Sequence, residues 1–294
     1  MGGTILTREI ILTSPLVLSQ REIYLQAMEE LVRPHPSIAV PGWPGFMKMT
    51  GGFRVREFSI LCGGTGVGKT QFLASLSAEL LKQNEKHFVM SVETGATDFM
   101  KRVISAISGQ DLNTGAAINP DLLARLHTQN YKYFDQDIIE FSLYEDRTSV
   151  EQLMHDIEMA VAKGCKIVFI DNLNFFMEVT TAANQVVEMD RVIHELIIFC
   201  KKVDVHIVMV MHPKKTDHGR VESEFDVKGS STAVQEAHNV FLLNRPKPEY
   251  IQNGESNINQ REFKLAKMRR RGRFIGSTMI FENFGGRYEE KGFL

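Results

Sequence analysis

The chain has 294 residues, 43% of them hydrophobic and 24% charged, with a formal net charge of −2; this length holds one large domain or two small ones. The near-neutral balance excludes a wholly basic nucleic-acid-binding protein but not a local basic surface, such as the inner wall of a ring. Three scattered cysteines (Cys62, Cys165 and Cys200) argue against a disulfide framework or a zinc site, and no apolar run approaches the roughly 20 residues of a membrane span.

The first predicted element is a helix. Ser19 is placed to cap it and Glu22 to close a capping box, Tyr24, Leu25, Met28, Leu31 and Val32 form an apolar stripe, and Pro34 and Pro36 end it. Residues 1–45 therefore read as a separate N-terminal segment. Its stripe needs a partner, either its own domain or a neighbouring subunit. A strand over Phe58–Cys62 follows, then the run Gly63-Gly64-Thr65-Gly66-Val67-Gly68-Lys69-Thr70, then a helix with Phe72, Leu73, Leu76, Leu80 and Leu81 on one face. The run fits G-x-x-x-x-G-K-[ST] in its required setting of strand, glycine loop and helix. Backbone N–H groups curled by glycine cradle phosphate, Lys69 supplies a mobile charge, and Thr70 offers a hydroxyl to magnesium. The pattern predicts binding of ATP or another nucleoside triphosphate with Mg2+.

Strands and helices then alternate. His87–Val92 reads as a strand, Thr97–Ser108 as a helix and Ile138–Phe141 as a short strand. Next come a helix from a Ser149 cap, with Gln152 completing a box, to about Ala162, a strand over Lys166–Ile170, a long helix over about 182–202 and a strand over Val205–Met211. This order predicts an α/β fold with a largely parallel sheet covered by helices. The last third changes character, with strands at Val240–Leu243, Phe263–Lys267 and Thr278–Phe281 and turn residues between them, which predicts a C-terminal β-hairpin extension. Residues 46–294 form the second expected unit.

Ligands of such sheets sit at the C-terminal strand ends. Glu93 ends one strand and suits a general base that activates water. Asp171 ends another after four apolar residues, the setting of a magnesium-holding carboxylate. His212 ends a third and is placed to contact a γ-phosphate.

The succession of glycine loop, strand-end glutamate, Ile-Asp and strand-end histidine resembles the RecA-type fold. Asp226-Val227-Lys228-Gly229-Ser230-Ser231, followed by Gln235, resembles the Asp-Leu-Arg-Gly-Ser-Gly segment of superfamily-four ring helicases related to Twinkle and the bacteriophage helicase–primases. Lys267-Met268-Arg269 with Gly272 resembles the Lys-x-Arg-x-x-Gly segment of that group and of DnaB. The resemblance covers about residues 40–290. It implies a RecA-like P-loop motor: an ATP-dependent DNA helicase or translocase working as a ring, a hexamer, on single-stranded DNA. It also implies that Lys267 and Arg269 act on the nucleotide of the next subunit, Arg269 as an arginine finger, and that Arg245 and Phe281 sandwich the base. The loop 213–230, with Lys214, Lys215, Arg220, Lys228, Gly229 and Ser230, is implied to contact DNA, although Asp217, Glu222, Glu224 and Asp226 nearly balance its charge. The helix near residues 20–32 would dock subunits, and a separate primase or loader would assist. Two other readings stay open: a recombination or annealing ATPase that forms filaments, and a RecA-type regulatory ATPase. With no secretory leader pattern, the cytoplasm of a bacterium or phage-infected host is the expected location, with no membrane partner.

Overall fold

The computed structural model describes residues 18–115, 117–142, 149–172, 182–214, 220–228, 231–247 and 258–294. Contacts divide the chain into two units, 1–36 and 37–294, so the boundary lies between Pro36 and Ser37, earlier than the sequence suggests. In the first unit, helix α1 (Gln20–Val32) carries the expected capping box between Ser19 and Glu22, and Tyr24, Leu25, Met28, Leu31 and Val32 are all exposed.

The second unit opens with strands β1 (Ser37–Ile38) and β2 (Phe53–Arg54), paired with each other, and the short helix α2 (Pro44–Thr50) between them. Residues 37–45 belong to this unit because Ile38, Val40 and Trp43 are buried in its core. The main sheet contains β3 (Phe58–Cys62), β4 (His87–Ser91), β5 (Ile139–Phe141), β6 (Ile167–Asp171), β7 (His206–Met211), β8 (Asn239–Asn244), β9 (Gln260–Met268), β10 (Thr278–Phe284) and β11 (Arg287–Phe293). Its order is β11-β10-β9-β8-β3-β7-β6-β4-β5. The six strands from β8 to β5 are parallel, and β9, β10 and β11 add antiparallel at one side. The expected terminal hairpin is therefore part of a three-stranded extension, its β10–β11 turn made by Gly285 and Gly286.

Strand side chains alternate between faces, and the two faces build two cores. Leu61, Phe169, Val208, Val210, Phe241 and Leu243 face helices α3 (Lys69–Lys82) and α4 (Gly95–Ser108). Ile60, Val168, Ile170, Ile207, Met209 and Leu242 face helices α6 (Val150–Ala162) and α7 (Ala182–Lys202). Helix α5 (Pro120–Asn130), which periodicity did not reveal, lies between α4 and β5 in the chain and buries only Leu126. At the α6 start, Ser149 accepts the Gln152 N–H, but the Gln152 side chain donates to Asp156 (2.7 Å) instead of closing a box.

The first core holds an aromatic cluster that ties the glycine-loop helix to the extension. Phe72 on α3 stacks on Phe263 of β9 at 5.0 Å and meets Phe281 of β10 edge-on at 5.3 Å. Each fully buried aromatic of this kind contributes about 1.5–3 kcal/mol of transfer free energy. Residues 43–46 and the extension are also joined by polar contacts. Glu290 of β11 accepts the N–H groups of Gly45 (2.7 Å) and Phe46 (2.6 Å) at the start of α2, and the Trp43 indole donates to the Tyr288 carbonyl at 3.2 Å.

Candidate active site

The glycine loop leaves the C-terminal end of β3 and enters α3. Gly68 caps α3 with φ of 98°, a left-handed conformation that side chains disfavour, and a Cβ there would lie 2.5 Å from the Tyr288 hydroxyl oxygen. A Cβ at Gly63 would lie 2.5 Å from the Leu243 carbonyl oxygen. Gly68 is set by curl and by close approach, Gly63 by close approach. Thr65 and Gly66 stand at the exposed crest of the loop. Lys69 is buried, and its ammonium donates to the carbonyls of Gly63 (2.8 Å) and Gly64 (3.0 Å). Burial holds its pKa below the ordinary lysine value, opposed by the negative charges of Asp171 and Glu93.

Thr70, at the start of α3, donates its hydroxyl to Asp171 at the end of β6, at 2.6 Å. Asp171 is almost wholly buried, and burial pushes its carboxyl above the usual range. The neighbouring Glu93 adds to this, while the Thr70 hydrogen bond, Lys69 and Arg102 act against it. A hydroxyl and a carboxylate oxygen side by side, on the two elements that frame the loop, form the hard-oxygen donor set that suits magnesium.

Glu93 follows β4 and is exposed; His212 follows β7 and is half-buried. Asn172 lies between them. Its side-chain nitrogen donates to Glu93 Oε2 at 2.7 Å and lies 3.3 Å from His212 Nε2. Burial lowers the His212 pKa, and Lys69 lowers it further. With Nε2 unprotonated, the ring can accept the Asn172 N–H there. Its carbonyl accepts the N–H of Lys228 at 2.9 Å, which brings the base of the 213–230 loop to this strand end.

Lys69, Thr70, Glu93, Asp171 and His212 therefore stand together at neighbouring strand ends, with Asn172, Arg102 and Arg261 beside them, none of which the sequence singled out. Arg102 of α4 donates to Gln71 at 3.1 Å, and Arg261 of β9 donates through Nε to the Val67 carbonyl behind the glycine loop. Asn172 had only its place after a strand-end aspartate to mark it; the two arginines had no local signal.

Lys267 and Arg269 stand elsewhere. β9 runs antiparallel to β8, so its far end lies at the opposite end of the sheet from the glycine loop. The Arg269 N–H bonds the His238 carbonyl, and the His238 N–H bonds the Phe58 carbonyl. Arg269 is thus level with the first residue of β3, whereas the glycine loop follows its last. At about 3.3 Å per residue this is roughly 16 Å along the sheet, and β8 intervenes. Both cations rest on the C-terminal carbonyls of helix α8 (Ser231–Glu236): Lys267 on Val234 (2.7 Å) and Gln235 (2.6 Å), Arg269 on Gln235 (2.6 Å). Such a helix end favours cations.

The structure corrects the expectation for Phe281. It is fully buried, with ring centroids 5.0 Å from Trp43 and 6.4 Å from Tyr288, and offers no face to a base. Arg245, at the end of β8, is exposed. In the loop, Lys215, Gly229 and Ser230 lie outside the described residues. Arg220 is turned inward: its guanidinium pairs with the buried Glu262, with Glu222 (2.8 Å) and with the Arg245 carbonyl. It is an internal clamp, not a free phosphate contact. Lys214 is exposed and donates to the Phe225 carbonyl at 2.9 Å; Lys228 is exposed. Asp226 accepts from the N–H groups of Glu222 (2.8 Å) and Ser223 (2.9 Å), so its charge is spent in capping the turn.

Residues 41–290 match the family described as the DnaB-like helicase C-terminal domain. Among solved structures, one ATPase domain superposes with a TM-score of 0.73 at 18% sequence identity, covering 92% of this chain and 98% of that one. A DnaB-like replicative helicase, described together with its interactions with primase, superposes with a TM-score of 0.74 at 18% identity, covering 94% of this chain and 68% of that one. At this identity the structural likeness speaks for the fold alone, which is RecA-like.

Proposed function

This chain belongs to the family of the DnaB-like helicase C-terminal domain and is an ATP-hydrolysing helicase, and we propose that it works as a ring, a hexamer, that moves along single-stranded DNA with ATP hydrolysed between subunits. The observation that carries this reading is the position of Arg269. It stands too far from the glycine loop of its own chain to touch a nucleotide there, yet it is exposed just past the end of β9, where a second copy can meet it.

In this reading the glycine-loop N–H groups and Lys69 hold the β- and γ-phosphates. Thr70 and Asp171 would hold magnesium, which neutralises charge on those phosphates when bound. Glu93 takes the proton of the attacking water. His212 contacts the γ-phosphate, and its bonded neighbour Lys228 carries the change to the loop. Arg269 of the next copy, with Lys267, stabilises charge developing on the transferred phosphoryl group. A finger of this kind is worth about 10³–10⁵ in rate, roughly 4–7 kcal/mol of barrier. Arg245 stands by the base without the aromatic partner first expected. Lys214 and Lys228 contact the strand's phosphates. The exposed stripe of α1 serves as a docking surface for a neighbouring copy, and residues 37–294 form the motor. A primase is an expected partner, since the DnaB-like helicase similar to this chain interacts with one.

The test is a forked-duplex unwinding assay beside electron micrographs taken with an ATP analogue and single-stranded DNA. Closed six-membered rings and strand separation are expected. Continuous filaments without unwinding would favour a recombination or annealing role instead.

A further inference from the structure

Asn172 takes no part in the roles assigned so far, yet it is buried where the catalytic strand ends meet. Its carboxamide nitrogen has two hydrogens and, among the described residues, meets Glu93 Oε2 at 2.7 Å and His212 Nε2 at 3.3 Å. The carboxylate fixes which side-chain atom faces it, because an amide oxygen there would meet an anion. With that nitrogen as the donor, His212 accepts at Nε2. An aspartate at this position would set a second carboxylate against Glu93, and a leucine of similar size would leave Glu93 and His212 unconnected.

We propose that Asn172 is a positioning residue that ties Glu93 to His212, so that the water-activating carboxylate and the γ-phosphate sensor move as one unit. The inference rests on the hydrolytic reading of the site. One hydrogen bond orients Glu93 and leaves Oε1 open to water. The other makes that orientation depend on where the His212 ring stands. Because the His212 carbonyl also holds the Lys228 N–H at 2.9 Å, a continuous bonded path runs from Glu93 through Asn172 and His212 to the loop proposed to hold DNA. Asn172 touches no reacting atom; it acts through Glu93.

The experiment is steady-state ATP hydrolysis by the full chain, with and without a single-stranded oligonucleotide, for Asn172→Leu, His212→Ala and the double variant. Lys69→Ala is the control and thermal melting the check of folding. Misplacing a general base removes part of its usual 10²–10⁴-fold contribution. Asn172→Leu is therefore expected to lower kcat by about 10- to 100-fold, with KM within about 3-fold of wild type. Linked residues give non-additive losses, so the double variant is expected to be little worse than the poorer single one. Stimulation by the oligonucleotide is expected to fall with Asn172→Leu as it does with His212→Ala. Should Asn172→Leu fail to fold, Asn172→Ser, which keeps a hydroxyl donor, takes its place with a smaller loss. A kcat within about 2-fold of wild type, or losses that multiply in the double variant, overturns the inference. Retention of hydrolysis by Lys69→Ala would instead overturn the site reading beneath it.

Discussion

At the scale of single residues, the site is a set of charges that keep one another in their working states. Lys69 loses water on burial and Asp171 gains proton affinity on burial, and each is pulled back by the other. Lys69→Ala removes the cation proposed to hold phosphate and also deprives Asp171 of that counter-charge. Hydrolysis is expected to fall by at least about 10²-fold, measured as phosphate release at saturating ATP. Unchanged turnover would exclude the glycine loop as the site. Lys69 was marked in the sequence by the spacing of the glycine loop, and Glu93, Asp171 and His212 because each is a polar side chain placed where an apolar strand stops, local signals that survive without coordinates. Phe281 was misread for the opposite reason. Its neighbours in the chain say only that it lies on a strand, and which face it takes depends on pairing with Arg261 of β9 and on the bulge beside it against β11. Asn172 was missed because its role exists only through Glu93 and His212, remote in the chain.

At the scale of elements, two buried histidines pin the sheet and make it sensitive to acid. His206 of β7 donates to the Arg54 carbonyl at 2.6 Å and pairs with Ser59 at 2.8 Å; His87 of β4 pairs with Ser77 of α3 at 2.6 Å. Burial pushes His87 down to about 4 and His206 to about 3. In the unfolded chain both titrate near 6.5. Because the folded values are depressed, their contribution is complete above about pH 6.5 and is lost as pH falls toward 4 and 3. The urea midpoint is expected to drop between about pH 7 and pH 5, and His87→Gln is expected to flatten part of that slope. The 213–230 loop yields a second prediction. With Arg220 clamped to Glu262 and Lys214 bonded to Phe225, Lys228 is the cation of the described loop most open to phosphate. Lys228→Ala is expected to weaken single-strand binding and to lower the slope of log K against log salt by about 0.7 for each phosphate it no longer neutralises. A slope equal to wild type excludes Lys228 as a phosphate ligand. The helices and parallel strands were readable from periodicity. The short elements α2, α8, β1 and β2 were not, nor were helix α5, which buries only Leu126, and edge strand β11, which runs through three consecutive charged residues, Glu289, Glu290 and Lys291.

At the scale of the whole molecule, the separation of Arg269 from Lys69 makes a statement about assembly that mixing can test. Arg269→Ala and Lys69→Ala are each expected to be inactive as pure proteins. Mixed before assembly, they create interfaces in which an intact Lys69 meets an intact Arg269. Hydrolysis is then expected to return to a measurable fraction of wild type, read as phosphate release against mixing ratio. If both defects lie in one chain's own site, no ratio restores activity. The family and the parallel sheet were legible from motif order. That Arg269 serves the next subunit was an implication of the resemblance; its distance from its own glycine loop could not be read from the sequence, because it needs the antiparallel run of β9 against β8. That strand carries a further consequence. Near its start Arg261 grips the back of the chain's own glycine loop through Val67, and just past its end Arg269 is offered outward. The strand between them, roughly 26 Å long and bulged at Ala266 opposite Val240 and Phe241, would in the proposed ring set one foot beside each of two successive nucleotides. A shift of the first foot would then reach the second along one continuous strand, through that bulge.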